Sequence, residues 1–109
     1  MSIQKDIIQL IRKALGKKIL FLPHAIRQMS IVDKIISTSE IRMVIDNGEV
    51  IEDYPEDVRG HSCLILGYGE NNRTIHVVCS PKEDYLAIIT AYLPDSEQWE
   101  DNFKKRKII

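Results

Sequence analysis

The apolar period of this chain changes once, at Asn47-Gly48, and that change limits the fold more than any other feature. Upstream, apolar residues recur at helical spacing; downstream, they alternate or run in short blocks bounded by turn residues. Residues 3–15, IQKDIIQLIRKAL, place Ile3, Ile7, Ile11, Ala14 and Leu15 on one helix face, and Gly16 supplies a stop. KKILFL follows as a short strand or an extended linker. Pro23 suits the first turn of a second helix, expected to run through Ala25, Ile26 and Met29 into Ile31–Val32. Ser37 and Glu40 have capping-box spacing ahead of a third helix, EIRMVID, which Asn47-Gly48 ends.

Beyond the change, VIEDY, HSCLILGY, RTIHVVCS and DYLAIITAYL read as four strands. Their connectors PEDVRG, GENN and PKED are short, which favours hairpins over crossovers. Pro94-Asp95-Ser96 then opens a last helix, EQWEDNFKKR, with acids near its start and bases near its end. The expected class is α+β: N-terminal helices, a four-stranded antiparallel meander and a C-terminal helix. A length of 109 residues suits a single domain spanning 1–109.

Composition excludes several classes. Hydrophobic residues make up 44% and charged residues 28%, the balance of an ordinary soluble protein. No apolar run approaches the ~18 residues of a membrane span, and no signal peptide precedes the first helix, so a cytoplasmic protein without membrane contact is expected. Cys63 and Cys79 lie in strand-like runs without paired-ligand spacing and read as buried reduced thiols. A formal net charge of −1 argues against strong nonspecific attraction to nucleic acid. The charge is nevertheless unevenly spread: Glu49, Glu52, Asp53, Glu56 and Asp57 crowd the middle, and Lys104, Lys105, Arg106 and Lys107 cluster near the end. That basic cluster reads as a solvated helix end, or as a contact for phosphate or an acidic partner.

Candidate chemistry falls on two places. On the second helix, His24, Arg27 and Gln28 stand at positions that share a face, so an imidazole and a guanidinium can converge on an anion. His24 as a plain capping and packing residue is the competing reading. On the strands, alternation sets Ile75, Val77 and Cys79 against Thr74, His76 and Val78. In the last strand it sets Leu86, Ile88, Thr90 and Tyr92 against Tyr85, Ala87, Ile89 and Ala91. Arg59 and Arg73 are further candidates for holding phosphate, and His61 reads as structural. Three histidines on separate elements, with no acidic cluster at ligand spacing, predict no metal site. No phosphate-binding glycine loop, nucleophile elbow or Cys–His pairing is present either, so no cofactor is expected. What is left is acid–base groups and cations. RNA cleavage fits that set, since the substrate's own 2′-OH is the nucleophile.

The stretches FLPHAIRQM, ISTSEIRMVIDNGEVIEDYPED, IHVV and IITAYLPDSEQW together resemble a bacterial domain of unknown function, over roughly residues 20–100. That family looks like a relative of the RelE/ParE and BrnT toxins. The resemblance implies a barnase/RelE-like fold and a cognate antitoxin, of the YgiT zinc-finger type found with MqsR-like toxins. Carried over by position, it supports His24 and Ala25, His76, and Thr90 with Tyr92. The arginine of the helix motif falls on Gln28, with Arg27 one position earlier. The expectation is therefore the toxin of a type II toxin–antitoxin pair, a metal-independent endoribonuclease acting on mRNA, free or ribosome-associated. His24 or His76 would act as acid/base, Arg27 and Arg73 would hold phosphate, and Thr90 and Tyr92 would orient the substrate. The alternative is a non-catalytic module of the same fold that acts through a partner protein.

Overall fold

The computed structural model describes residues 3–100 and 102–108. Three helices lie against a five-stranded mixed sheet: α1 (Ile3–Leu15), β1 (Ile19–Phe21), α2 (Pro23–Met29), α3 (Thr38–Asn47), β2 (Glu49–Tyr54), β3 (Ser62–Tyr68), β4 (Thr74–Pro81) and β5 (Leu86–Tyr92). The α+β class is as expected, but the sheet has one strand more than the predicted meander. Its order is β1-β5-β4-β3-β2. β2 to β5 form the antiparallel meander, and β1 adds to the far edge in parallel to β5, with Ile19 opposite Leu86 and Phe21 opposite Ile88. Of the two readings of KKILFL, the short strand is the one found, but its place in the sheet carried no local signal because its partner lies at the other end of the sequence.

The helices cover one face of the sheet. Of the apolar face predicted for α1, Ile7, Ile11, Ala14 and Leu15 are buried; the Ile3 side chain lies outside the described residues. Ala25 and Met29 of α2 and Ile41, Val44 and Ile45 of α3 join them against Cys63, Ile65, Ile75, Val77, Cys79, Leu86, Ile88 and Ala91. Both cysteines are free thiols within this layer, directly opposite each other on β3 and β4.

Two helices differ from their sequence reading. α2 ends at Met29 and does not continue into Ile31–Val32. The Ser30 hydroxyl donates to the Ile26 carbonyl, and Asp33 adopts a left-handed backbone (φ 69°), so the chain leaves the helix axis. Among the described residues, the predicted C-terminal helix is absent. Pro94-Asp95 starts one turn, then the chain doubles back: Trp99 bridges antiparallel to Arg106, and the Lys107 N–H donates to the Gln98 carbonyl at 2.9 Å. Asp101, within that segment, lies outside the described residues. A ten-residue helix with two large apolar side chains is too short to persist without a packed face, and here the basic side chains find acidic partners on β2 instead.

The capping box is present in both halves. The Ser37 hydroxyl accepts from the Glu40 N–H, and the Glu40 carboxylate accepts from the Ser37 N–H, each at 3.1 Å. Replacing Ser37 with alanine removes one half and should cost about 1 kcal/mol, read as a lowered chemical-denaturation midpoint with an unchanged slope.

Candidate active site on the open sheet face

The sheet face turned away from the helices carries the polar residues. β4 places His76, Val78 and Ser80 there, because Ile75, Val77 and Cys79 enter the core. β5 departs from simple alternation. Its register slips where Val78 pairs with Thr90 and Cys79 pairs with Ile88, leaving Ile89 as the bulged residue. Leu86 and Ile88 therefore share the core face with Ala91, while Thr90 and Tyr92 point to the open face. The predicted grouping of Leu86, Ile88, Thr90 and Tyr92 on one face is corrected by this one extra residue.

The bulge brings Tyr92 directly opposite His76. The His76 Nδ1 lies 3.2 Å from the Tyr92 hydroxyl, and Nε2 lies 2.8 Å from the Phe103 carbonyl. These contacts fit a neutral ring whose Nε2–H donates to the carbonyl and whose Nδ1 accepts from the phenol. Burial holds the His76 pKa below its usual value, against the opposing pull of the Phe103 carbonyl. Burial likewise pushes the Tyr92 phenol upward. Trp99 packs edge-on to the imidazole at 4.5 Å between centroids, and Arg106 lies 4.6 Å over the indole ring.

On β2, Glu52 and Tyr54 extend the cluster. The Glu52 carboxylate accepts from Arg106 Nε at 2.9 Å and Nη2 at 3.1 Å, and also from the Tyr54 hydroxyl. Burial works to raise the Glu52 pKa, but hydrogen bonds from Arg106 and Tyr54 outweigh it and keep the carboxylate ionised. Burial, with the neighbouring Glu52, pushes the Tyr54 phenol up to about 12. Glu52, Tyr54, His76, Tyr92 and Thr90 thus come from three strands onto one face.

At the other end of this face, Leu22, Arg59, Ser80, Lys82, Tyr85, Ala87 and Ile89 line a cavity of 230 Å³. Lys82 donates to the Arg59 carbonyl, and the Arg59 guanidinium pairs with Asp57 at 3.0 Å. The Ser80 and His76 positions are about 13 Å apart along the strand.

The remaining candidates lie elsewhere. His24 and Arg27 are exposed on α2, and Gln28 is partly buried there. Among the described residues, no hydrogen bond or ring contact joins His24 to Thr90 or Tyr92. Arg73 is committed to Glu40, at 3.0 Å through Nε and 2.8 Å through Nη2, beside the start of α3. His61 makes a 2.6 Å contact to Asp53, which sits opposite Cys63. Among the described residues, no group of three or more His, Cys, Asp or Glu side chains is placed to hold a metal ion, and no helix is long and apolar enough to cross a membrane.

Glu52, Trp99 and Arg106 were not singled out as site residues by sequence reasoning. Glu52 and Trp99 do stand within the motif words GEVIED and TAYLPDSEQW, which was the available signal. Arg106 was read only as one member of the basic cluster, because its pairing with Glu52 depends on a fold-back that local patterns do not encode.

Fold and site together define an α+β domain with an acid–base cluster on the sheet face opposite the helices, where the segment after β5 packs over His76. Residues 21–93 match the family described as a domain of unknown function, DUF4258, and the chain belongs to that family. No curated protein and no solved structure matches it.

Proposed function

We propose that the protein is a metal-independent endoribonuclease of toxin type, related to the RelE/ParE group. Its partner would be a cognate antitoxin, the YgiT zinc-finger class being the first to test. One observation carries the reading: Glu52, Tyr54, His76, Thr90 and Tyr92 converge on a single sheet face from distant stretches. In the reaction, neutral His76 or ionised Glu52 takes the 2′-OH proton. The freed oxygen bonds to the adjacent phosphorus, the P–O5′ bond breaks, and the group that took the 2′-OH proton, now the protonated member of the pair, passes that proton to the leaving oxygen. Thr90 and Tyr92 orient the ribose. Lys82, at the far end of the face, holds a neighbouring phosphate, and Arg59 is set aside because its guanidinium is occupied by Asp57. Arg73 is set aside from the expected phosphate-binding group because its guanidinium is occupied by Glu40.

The test is cleavage of RNA by purified protein in EDTA. His76→Gln should lower the rate about a hundredfold, the low end of what one acid–base group contributes, and His24→Asn should leave it near wild type. Equal rates for wild type and His76→Gln would sink the reading.

A second reading, a non-catalytic module acting through a partner protein, draws support from a different surface. Ile26, Val32 and Ile35 are 53%, 78% and 62% exposed beside a 370 Å³ groove lined by Phe21, Met29 and Ile36. If that reading is correct, Val32→Asp with Ile35→Asp abolishes co-purification of a neighbouring gene's product.

A further inference from the structure

Resting on the ribonuclease reading, we propose that the chain after β5, through residues 94–100 and 102–108, is an autoinhibitory strap that blocks the reactive groups of the sheet face opposite the helices. The segment contacts those groups one by one. The Phe103 carbonyl occupies His76 Nε2, the ring nitrogen not turned towards Tyr92. Trp99, 2% exposed, roofs the imidazole. Arg106 places its fork on the Glu52 carboxylate, and Lys104 pairs with Glu49 at 2.7 Å. The result is a histidine with no exposed surface and both nitrogens occupied, so RNA reaches it only in the fraction of molecules whose strap has lifted, and wild type keeps a low basal rate.

The same contacts describe an attachment that can be released. The match to the family ends at residue 93, where the strap begins, so the reactive face belongs to the family domain and the strap lies beyond it. Arg106 and Lys104 side chains are 58% and 44% exposed, so both ion pairs are open to water and salt. Among the described residues of the segment, Trp99 is the one large side chain that is buried. The carbonyl that blocks His76 is presented by Phe103 in a left-handed backbone (φ 59°), a conformation that bulky residues rarely adopt. The strap is also basic, with Lys104, Lys105, Arg106 and Lys107, so a polyanionic substrate competes with Glu49 and Glu52 for the cations that hold it down.

Diethyl pyrocarbonate, read residue by residue by mass spectrometry on the full chain, measures the accessibility of His76 independently of any activity. Exposed His24 is the internal reference. In wild type, His76 should react far more slowly than His24. Replacing Lys104→Ala and Arg106→Ala together should raise the His76 rate about tenfold, the combined effect of two water-exposed ion pairs, and leave His24 unchanged. RNA cleavage should rise with it. Unchanged labelling of His76 in a double variant with a wild-type melting temperature overturns the strap. If that variant does not fold, wild-type protein in rising salt serves instead: faster His76 labelling supports the strap, and a flat response overturns it. Faster labelling with RNA intact in every form leaves the strap standing and removes the ribonuclease reading.

Discussion

Glu40→Ala should destabilise the domain by about 3 kcal/mol and lower its melting temperature by roughly 12–20 °C. The residue is 3% exposed and joins three segments. Its carboxylate accepts from the Ser37 N–H at the start of α3, from the Glu70 N–H at 3.0 Å in the β3–β4 turn, and from both arms of Arg73. Arg73 in turn donates to the Ile35 carbonyl, so the loop before α3 is held as well. Breaking a buried ion pair costs ~3–5 kcal/mol when one charge is left stranded. Arg73 is 33% exposed and keeps some water, which places this case at the lower end.

The same contacts predict a pH dependence. The Arg73 hydrogen bonds, opposed by burial and reinforced by the Ser37 and Glu70 amides, lower the Glu40 pKa from 4.5 to about 2. A depressed folded-state pKa means that the unfolded chain binds the proton more readily. The stabilisation is therefore complete above pH 4.5 and is lost as the pH falls towards about 2. A shift of that size corresponds to about 3 kcal/mol of stability lost on full protonation. Glu40→Gln should flatten the acid limb of stability against pH in denaturant titrations. An acid limb as steep as that of wild type would show that other carboxylates govern it.

Gly48→Ala should cost about 3 kcal/mol, because the methyl group has no space and its neighbours cannot yield. Gly48 ends α3 in an extended conformation that alanine tolerates, so backbone strain is not the cause. The helix end instead passes directly against β3. A Cβ at this position would meet the Leu66 carbonyl oxygen at 2.6 Å and Ile65 Cγ2 at 2.8 Å, and would collide with the Val44 carbonyl that accepts the Gly48 N–H. Two of these three are backbone atoms, one of them in a central strand, and relief requires moving α3 off the sheet. Gly16→Ala is the control: its nearest contact would be an ordinary 3.5 Å to the Lys13 carbonyl, and stability should change by less than about 0.5 kcal/mol. Equal melting temperatures for the two variants would contradict the packing described for α3.

The candidate site was legible in part. His76, Thr90 and Tyr92 stood out because polar groups interrupt apolar strands, and they do occupy one face together. The reason they do so was hidden, since the bulge at Ile89 leaves no mark in an apolar run where either neighbour could be the extra residue. Arg73 looked like a free cation because its buried partner Glu40, read as half of a capping box, lies more than thirty positions earlier. Its second function appears only when the β3–β4 turn arrives over α3.

By itself the sequence determined that helices precede the β2–β5 meander, and it set the start of α3 at Ser37 and its end at Gly48. Those features depend on period, capping and backbone freedom, all of which act within a few residues. The tertiary structure alone decided that β1 joins β5 in parallel, that β5 bulges, and that the last segment folds back over His76. Each of these is a choice among pairings distant in the chain. Such a choice is settled by which buried surfaces and charged groups satisfy one another once the sheet has formed, and no local pattern carries that information.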